Sequence, residues 1–402
     1  MTVNKKMVEQ ALDDITVLDF SRFLPAPYCS MMLADFGARV IRVEQANEVA
    51  KQEKAFGLDN LTPEEKRKVK KRELLSRNKR SVILNLRDEN SRKAVKRMIK
   101  NCDVLLHDYR AGVMEAMGLG YDELRIINPK LIYCSVTLGG LSGPYQDLPG
   151  HEPIAMALAG ALPRFGDGDR PHIAGLPVGD LSTGMQAVIG ILLALQARNK
   201  TGEGQLVDVA MSDCALNLMT SVAQRFLVSE NEPPLSWRGG NVGYWLTLDN
   251  KYICTTDLEP RYWEKFCHAI ERSDLLPLQF DKEKLAYLDE ELRQVFSQKT
   301  RDQWFEILRQ AGTQVAPVYT IAEALQDRHA RARGTVFEMN DGDDHAVTQI
   351  GPAVKLSATP GSVRDLPHLP GQDTLEILKE FGFSDDEIEP LIIASAAEIV
   401  KT

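Results

Sequence analysis

The first third of the chain alternates short, β-branched and mostly apolar runs with segments of helical spacing. The runs are ITVLDF (Ile15–Phe20), ARVIRVE (Ala38–Glu44), SVILNL (Ser81–Leu86), DVLLHDY (Asp103–Tyr109) and LIYCSV (Leu131–Val136). Continuous apolar runs of this length suit strands covered on both faces. Between them, PYCSMMLADFG reads as a helix, and ENSRKAVKRMIKNC sets Ala94, Val95, Met98 and Ile99 along one helix face. The alternation predicts an α/β fold with a mainly parallel sheet.

Residues 46–80 interrupt this pattern with a charged stretch, in which Thr62–Pro63–Glu64 predicts a helix start. Its basic run reads as a solvated helix face, with a nearby bound anion as the alternative. From Asp180 to Lys200 the chain is apolar nearly all round, which predicts a buried helix. KTGEG stops it, and QLVDVAM returns to strand character. NEPPLSWRGGN then breaks the pattern, and the strand-like YWLTLDNKYICTTDLEP and the helical RYWEKFCHAIE and RDQWFEILRQAG follow. The expected organisation is a large domain over 1–224, a smaller α+β domain over 225–330, and a return to the large domain over 331–402. TQVAPVYTIAEAL is expected to turn back toward the large domain, and PGQDTLEILKEFGFSDDEIEPLI to form paired helices.

Composition narrows the functional classes. The 402 residues are 44% hydrophobic and carry a net charge of -9, which fits a globular protein and argues against a general nucleic-acid binder. The start, MTVNKKMVEQALDDITVLDF, lacks the apolar h-region of a secretory signal. The apolar run Val188–Leu195 is too short to span a bilayer, so no membrane association is expected. Cys29, Cys102, Cys134, Cys214, Cys254 and Cys267 form no CxxC pair, so reduced, mostly buried thiols, no metal site and a cytoplasmic location are expected. SRFLPAP stands where a dinucleotide-binding GxGxxG loop would follow the first strand, and no P-loop, GxSxG or HExxH is present.

Asp180 is the central candidate. An aspartate at a helix start can cap it, but Ser182 and Thr183 in DLST offer alternative caps. Gly179 beside it would let a ligand approach the backbone closely. A carboxylate so placed could attack an activated acyl group as a nucleophile. His151 and Glu152 in LPGHEPIAM could orient it or exchange protons, or could be a structural pair. Glu259 precedes a proline at an expected helix start, where it could simply complement the helix dipole. The cations of RNKRS (Arg77–Ser81) form either a solvated turn or a phosphate clamp. WRGGN, with Gly239, Gly240 and Asn241, is either a hinge or a loop that closes over a ligand.

Taken together, VLDFSRFLPAPYCSMMLADFGARVIRVE, NKRSVILNL, NPKLIYCSV, KTGEGQLVDVAM and PGQDTLEILKEFGF resemble the family III CoA-transferases over nearly the whole chain. That family includes formyl-CoA and carnitine CoA-transferases and α-methylacyl-CoA racemase. The resemblance implies two interlocked, ring-like subunits, each with a large Rossmann-like domain and a small domain. It implies a CoA thioester as substrate, with no tightly bound cofactor, and a carboxylic acid as acceptor. Asp180 would attack the acyl-CoA, and CoA thiolate would open the mixed anhydride to an aspartyl-CoA thioester. CoA would lie against Phe23, Leu24, Pro25, Gln45, Ser76, Arg77, Asn78, Lys79, Asp108, Tyr109, Arg110 and Met117, with Lys79 the best-matched cation.

The racemase pattern is the alternative, with His151 and Asp180 as its acid–base pair. HEPIAM lacks the Asn–Tyr of that pattern, whereas GDLSTGM and RGGN resemble the transferases. The full glycine loop of formyl-CoA transferase is missing, and Leu24 replaces its glutamine, which suggests an acid larger than oxalate or formate. A heterodimer with a related subunit, or a binding-only partner subunit, completes the alternatives.

Overall fold

The computed structural model describes residues 10–166, 170–235, 242–342 and 345–399. The chain divides into a larger unit built from the segments before Glu232 and after Arg333, and a smaller unit spanning Glu232–Arg333.

In the larger unit, β1 (Thr16–Phe20), β2 (Arg39–Glu44), β3 (Lys79–Ile83), β4 (Val104–His107), β5 (Ile132–Thr137) and β6 (Leu206–Ala210) form one sheet. All pairs are parallel and the spatial order is β3-β2-β1-β4-β5-β6. Side chains alternate between the two faces, as the two-residue period of a strand requires. Val17, Val40, Leu106 and Cys134 join one core with Ala26, Cys29 and Leu33 of helix α1 (Pro25–Asp35). Leu18, Phe20, Ile41, Leu105 and Tyr133 join the other.

The charged stretch folds as α2 (Ala46–Ala55) and α3 (Pro63–Lys70), the latter with a full Thr62–Glu65 capping box. The next helices are α4 (Glu89–Ile99), α5 (Val113–Ala116), α6 (Tyr121–Ile127) and α7 (Glu152–Leu158). The long α8 (Val178–Thr201) and then α9 (Met211–Leu218) and α10 (Thr220–Ser229) follow. Ala94, Val95, Met98 and Ile99 of α4 are buried, in line with the spacing.

Helix α8 departs from the expectation of burial all round. Ala187, Val188 and Ile191 pack into the core, but Met185, Ile189, Leu192 and Leu193 are 41–65% exposed. Its 24 residues, unlike the shorter run Val188–Leu195, are long and apolar enough, by length and composition alone, to cross a membrane. Its packing with α1 and β6 marks it as a core helix on one side.

The smaller unit holds an antiparallel sheet of β7 (Val242–Leu246), β8 (Tyr252–Thr256) and β9 (Val315–Val318), in that order. Helices α11 (Pro260–Ala269), α12 (Leu285–Phe296) and α13 (Arg301–Ala311) cover it, and Trp245 stacks on Phe296 with ring centroids 5.7 Å apart. The short α14 (Ile321–Ala324) and α15 (Arg328–Ala332) end the unit. TQVAPVYTIAEAL therefore does not turn back to the larger unit. Its strand β9 pairs with β8, Ala316 opposite Cys254.

The chain then re-enters the larger unit as the hairpin β10 (Val336–Asn340) and β11 (Ala346–Ile350) and the helices α16 (Thr374–Glu380) and α17 (Asp385–Ile399). Ile377, Leu378, Ile388 and Leu391 complete the core on the α4 face of the sheet. Asn78, at φ 57, pins this return. Its Oδ1 accepts from the amides of Arg364 and Asp365 at 2.6 and 3.0 Å, and its Nδ2 donates to Asp35 and to the Ser362 carbonyl. Five of the six cysteines are buried and Cys254 is half-buried, all unpaired.

Candidate active site

Open parallel sheets take ligands beyond the carboxyl ends of their strands, where the strand order reverses. Here the reversal lies between β1 and β4. The segments that follow these two strands are held together by Asp108. Its Oδ2 accepts from the amides of Arg22 and Phe23, both at 2.7 Å, and its Oδ1 from the Arg22 guanidinium at 3.2 Å. That guanidinium lies 4.1 Å from the centre of the Tyr109 ring, a cation–π distance. Burial pushes the Asp108 carboxyl up, and Arg22 and the two amides oppose it.

A cleft of about 570 Å³ opens here. Its walls include Arg22, Phe23, Leu24, Pro25, Asp108, Arg110, His151 and Asp180. Val136–Leu138 after β5, the 146–150 loop and Met211 at the start of α9 complete them. The ring of His151 meets that of Phe23 edge-on at 5.6 Å.

Asp180 sits in the first turn of α8, whose N-cap residue, Pro177, supplies no side-chain cap. The hydroxyls of Ser182 and Thr183 donate to the Gly179 carbonyl at 2.9 and 2.7 Å, inside the helix, so they are not caps. Gly179 does not leave room for a ligand either. A Cβ there would lie 2.7 Å from Glu152 Cγ, and the Gly179 amide donates to Glu152 Oε1 at 3.1 Å. Buried Glu152 thus fixes the backbone just before the aspartate. Burial and the neighbouring Glu152 charge push the Asp180 carboxyl up to about 6, with His151 pulling the other way.

A second glycine sets the distance between the two helices that frame the cleft. A Cβ on Gly184 of α8 would lie 2.5 Å from the Pro25 carbonyl oxygen at the start of α1. Because backbone must shift, Gly184→Ala is expected to destabilise the chain by about 1–3 kcal/mol. Since Pro25 also lines the cleft, the same variant is expected to weaken ligand binding. Denaturant melts and ligand titrations on the variant would show both effects, and an unchanged midpoint would contradict the close approach.

The remaining expected site residues divide. Gln45 and Tyr109 share an adjoining small recess with Arg22 and Arg42, and Gln45 Nε2 donates to the Tyr109 hydroxyl at 2.8 Å. Ser76 bonds to Glu73, and Arg77 is buried against Asp35 with contacts of 2.7 and 3.0 Å. Asn78 and Lys79 are buried as well, so these side chains form no open phosphate clamp. Met117 packs against the hydrophobic core and is not a cleft residue. Glu259 precedes α11 in the smaller unit, where its carboxylate accepts from Gln314 at 3.1 Å. Gly239, Gly240 and Asn241 lie outside the described residues. Arg22, Val136–Leu138, Gln146 and Met211 were missed by the sequence reading. Only the strand order brings them together. Among the described residues no group of three or more His, Cys, Asp or Glu could hold a metal ion.

Comparison with known proteins fits this geometry. The family model described as CoA-transferase family III matches residues 12–374. The α-methylacyl-CoA racemase of Homo sapiens is 32% identical over 389 residues, covering 95% of this chain and 96% of that protein. The succinyl-CoA–L-malate CoA-transferase beta subunit of Chloroflexus aurantiacus is 33% identical over 414 residues, covering 94% and 96%. A crystal structure of a CaiB/BaiF family protein from Brucella suis superimposes with a TM-score of 0.79 at 24% identity, covering 93% of this chain and all of that one. The chain belongs to CoA-transferase family III.

Proposed function

We propose that the chain is an acyl-CoA:carboxylate CoA-transferase with Asp180 as its nucleophile. The observation that carries this reading is a half-buried carboxylate lining the cleft and accepting no hydrogen bond from any described residue. With its carboxyl near 6, it is mostly ionised at neutral pH, yet more basic than an ordinary aspartate.

In the proposed reaction an Asp180 oxygen attacks the thioester carbonyl, and the C–S bond breaks to release CoA thiolate. The thiolate attacks the aspartyl carbonyl of the mixed anhydride and frees the donor acid as its carboxylate. The acceptor carboxylate then displaces thiolate from the aspartyl thioester. Thiolate returns to the acceptor's acyl carbon and restores Asp180. No net proton is taken up or lost. The thioester end of CoA would pass along Phe23, Leu24 and Pro25, with Asp108 and Arg110 lining the same cleft. The exposed apolar side chains of α8 suit a partner subunit in an interlocked dimer, with a second copy or a related chain.

The racemase reading has its own support, because His151 and Asp180 line the same cleft and a carboxyl near 6 suits proton transfer. Intact mass after mixing with a panel of acyl-CoAs tests the choice. A CoA-sized adduct on the wild type that is absent from Asp180→Asn supports the transferase. Exchange of the substrate α-proton in D2O without an adduct supports the racemase, and neither result with any ester leaves a binding-only subunit.

A further inference from the structure

Lys79 is the cation that the family resemblance sets against CoA, but its ammonium has no proton left to offer a ligand. Lys79 is 4% exposed, and its Nζ lies 2.7 Å from Ser30 Oγ, 3.0 Å from the Pro27 carbonyl and 3.4 Å from Asp19 Oδ2. A lysine ammonium has three N–H donors, and these contacts use all three. None of the three lines the cleft, but each lies on β1 or α1, the elements on either side of the Arg22–Pro25 rim. Asp19 lies near the end of β1, and Pro27 and Ser30 lie in the first two turns of α1. Ser30 Oγ also donates to Asp19 at 2.5 Å, and the other Asp19 oxygen accepts from the Ser21 amide at 2.9 Å and from the Ser21 hydroxyl. The rim residues Arg22, Phe23, Leu24 and Pro25 therefore hang between this buried cluster and the Asp108 carboxylate.

We propose that Lys79 is a positioning residue, a buried strut that ties the first turns of α1 to β1 and so fixes the Arg22–Pro25 rim, without touching CoA. The strut itself stands on the structure alone. Only the identity of the ligand held by the rim rests on the CoA reading above.

The strut predicts behaviour that a phosphate ligand does not. In Lys79→Met, hydrogen exchange of the Ser21, Arg22 and Phe23 amides, measured without ligand, is expected to quicken at least ~10-fold, while amides in α4 keep their protection. Affinity for CoA and for pantetheine, which has no phosphate, is expected to fall by the same factor, because the rim meets the thiol end. Unchanged exchange at the rim, with CoA weakened and pantetheine not, would make Lys79 a phosphate ligand and overturn the proposal. Should Lys79→Met fail to fold, Ser30→Ala removes only the hydroxyl between Lys79 and Asp19. It is expected to loosen the same amides by a smaller factor, and unchanged exchange there would equally refute the strut. If the wild type binds neither CoA nor pantetheine, the CoA reading fails, while the exchange result still decides the role of Lys79.

Discussion

Asp180→Asn is expected to lower the rate of CoA transfer by at least ~10³-fold while leaving the fold intact. An amide matches the carboxylate in size but cannot open a thioester to an anhydride, so the covalent route ends at its first step. The fold should hold because no described residue hydrogen-bonds to the carboxylate, and the helix is not capped by it. The pH dependence gives the prediction a sign. The folded carboxyl is raised to about 6 from 3.8, so the ionised nucleophile forms as pH rises through 6. The wild-type kcat/KM should then fall about tenfold per unit below that point. Stability runs the opposite way. A carboxyl raised in the folded state favours folding when protonated, and that contribution is lost as pH rises through 6. Asp180→Asn removes this loss, so at pH 8 its thermal midpoint should be no lower than that of the wild type. Initial rates from pH 5 to 9 and paired melting curves check both limbs. Full activity in the variant would remove Asp180 from the chemistry altogether.

Strands β1, β4 and β5 were legible because each is a mostly apolar run buried along nearly its whole length. Strand β3 begins two residues and ends three residues earlier than expected, and the reason is physical. SVILNL reads as the strand, yet Lys79–Ile83 pairs with β2, placing polar Lys79 and Ser81 on a buried face. A period-two reading treats such residues as solvated, because their partners are remote in sequence. Asp19 lies 60 residues from Lys79, and Asp373 lies 292 from Ser81. The same limit hides Arg22 and Met211 from a sequence reading, since the strand order that gathers them is a set of non-local pairings. Conversely, Asp180, His151, Phe23 and Leu24, all candidates on sequence grounds, line one cleft. The exposed apolar stripe on α8 could not be foreseen either, because an all-round apolar helix looks the same whether its outer face meets core or lies open.

Arg77→Met is expected to destabilise the larger unit by about 3–5 kcal/mol, more than the other substitutions considered, because it strands a buried charge. The side chains of Arg77 and Asp35 are 3% and 2% exposed, and the guanidinium grips the carboxylate through both Nε and Nη2. Its Nη1 also donates to the Ile350 carbonyl at 2.6 Å, joining β11 to the same point. Without the guanidinium, Asp35 keeps the Asn78 amide at 2.8 Å, too little to offset a desolvated negative charge. Arg77→Lys keeps the charge but not the two-pronged geometry, so its loss should be smaller. The decisive comparison is the double variant Arg77→Met with Asp35→Leu, which removes both charges. If the single loss reflects a stranded carboxylate, the double variant should be more stable than Arg77→Met alone in urea melts. If the two losses simply add, the pair is not coupled, and the arginine acts through Ile350 and the C-terminal return instead. In either case, Arg77 is not among the cleft residues, so kcat measured well below the melting transition should stay near the wild-type value.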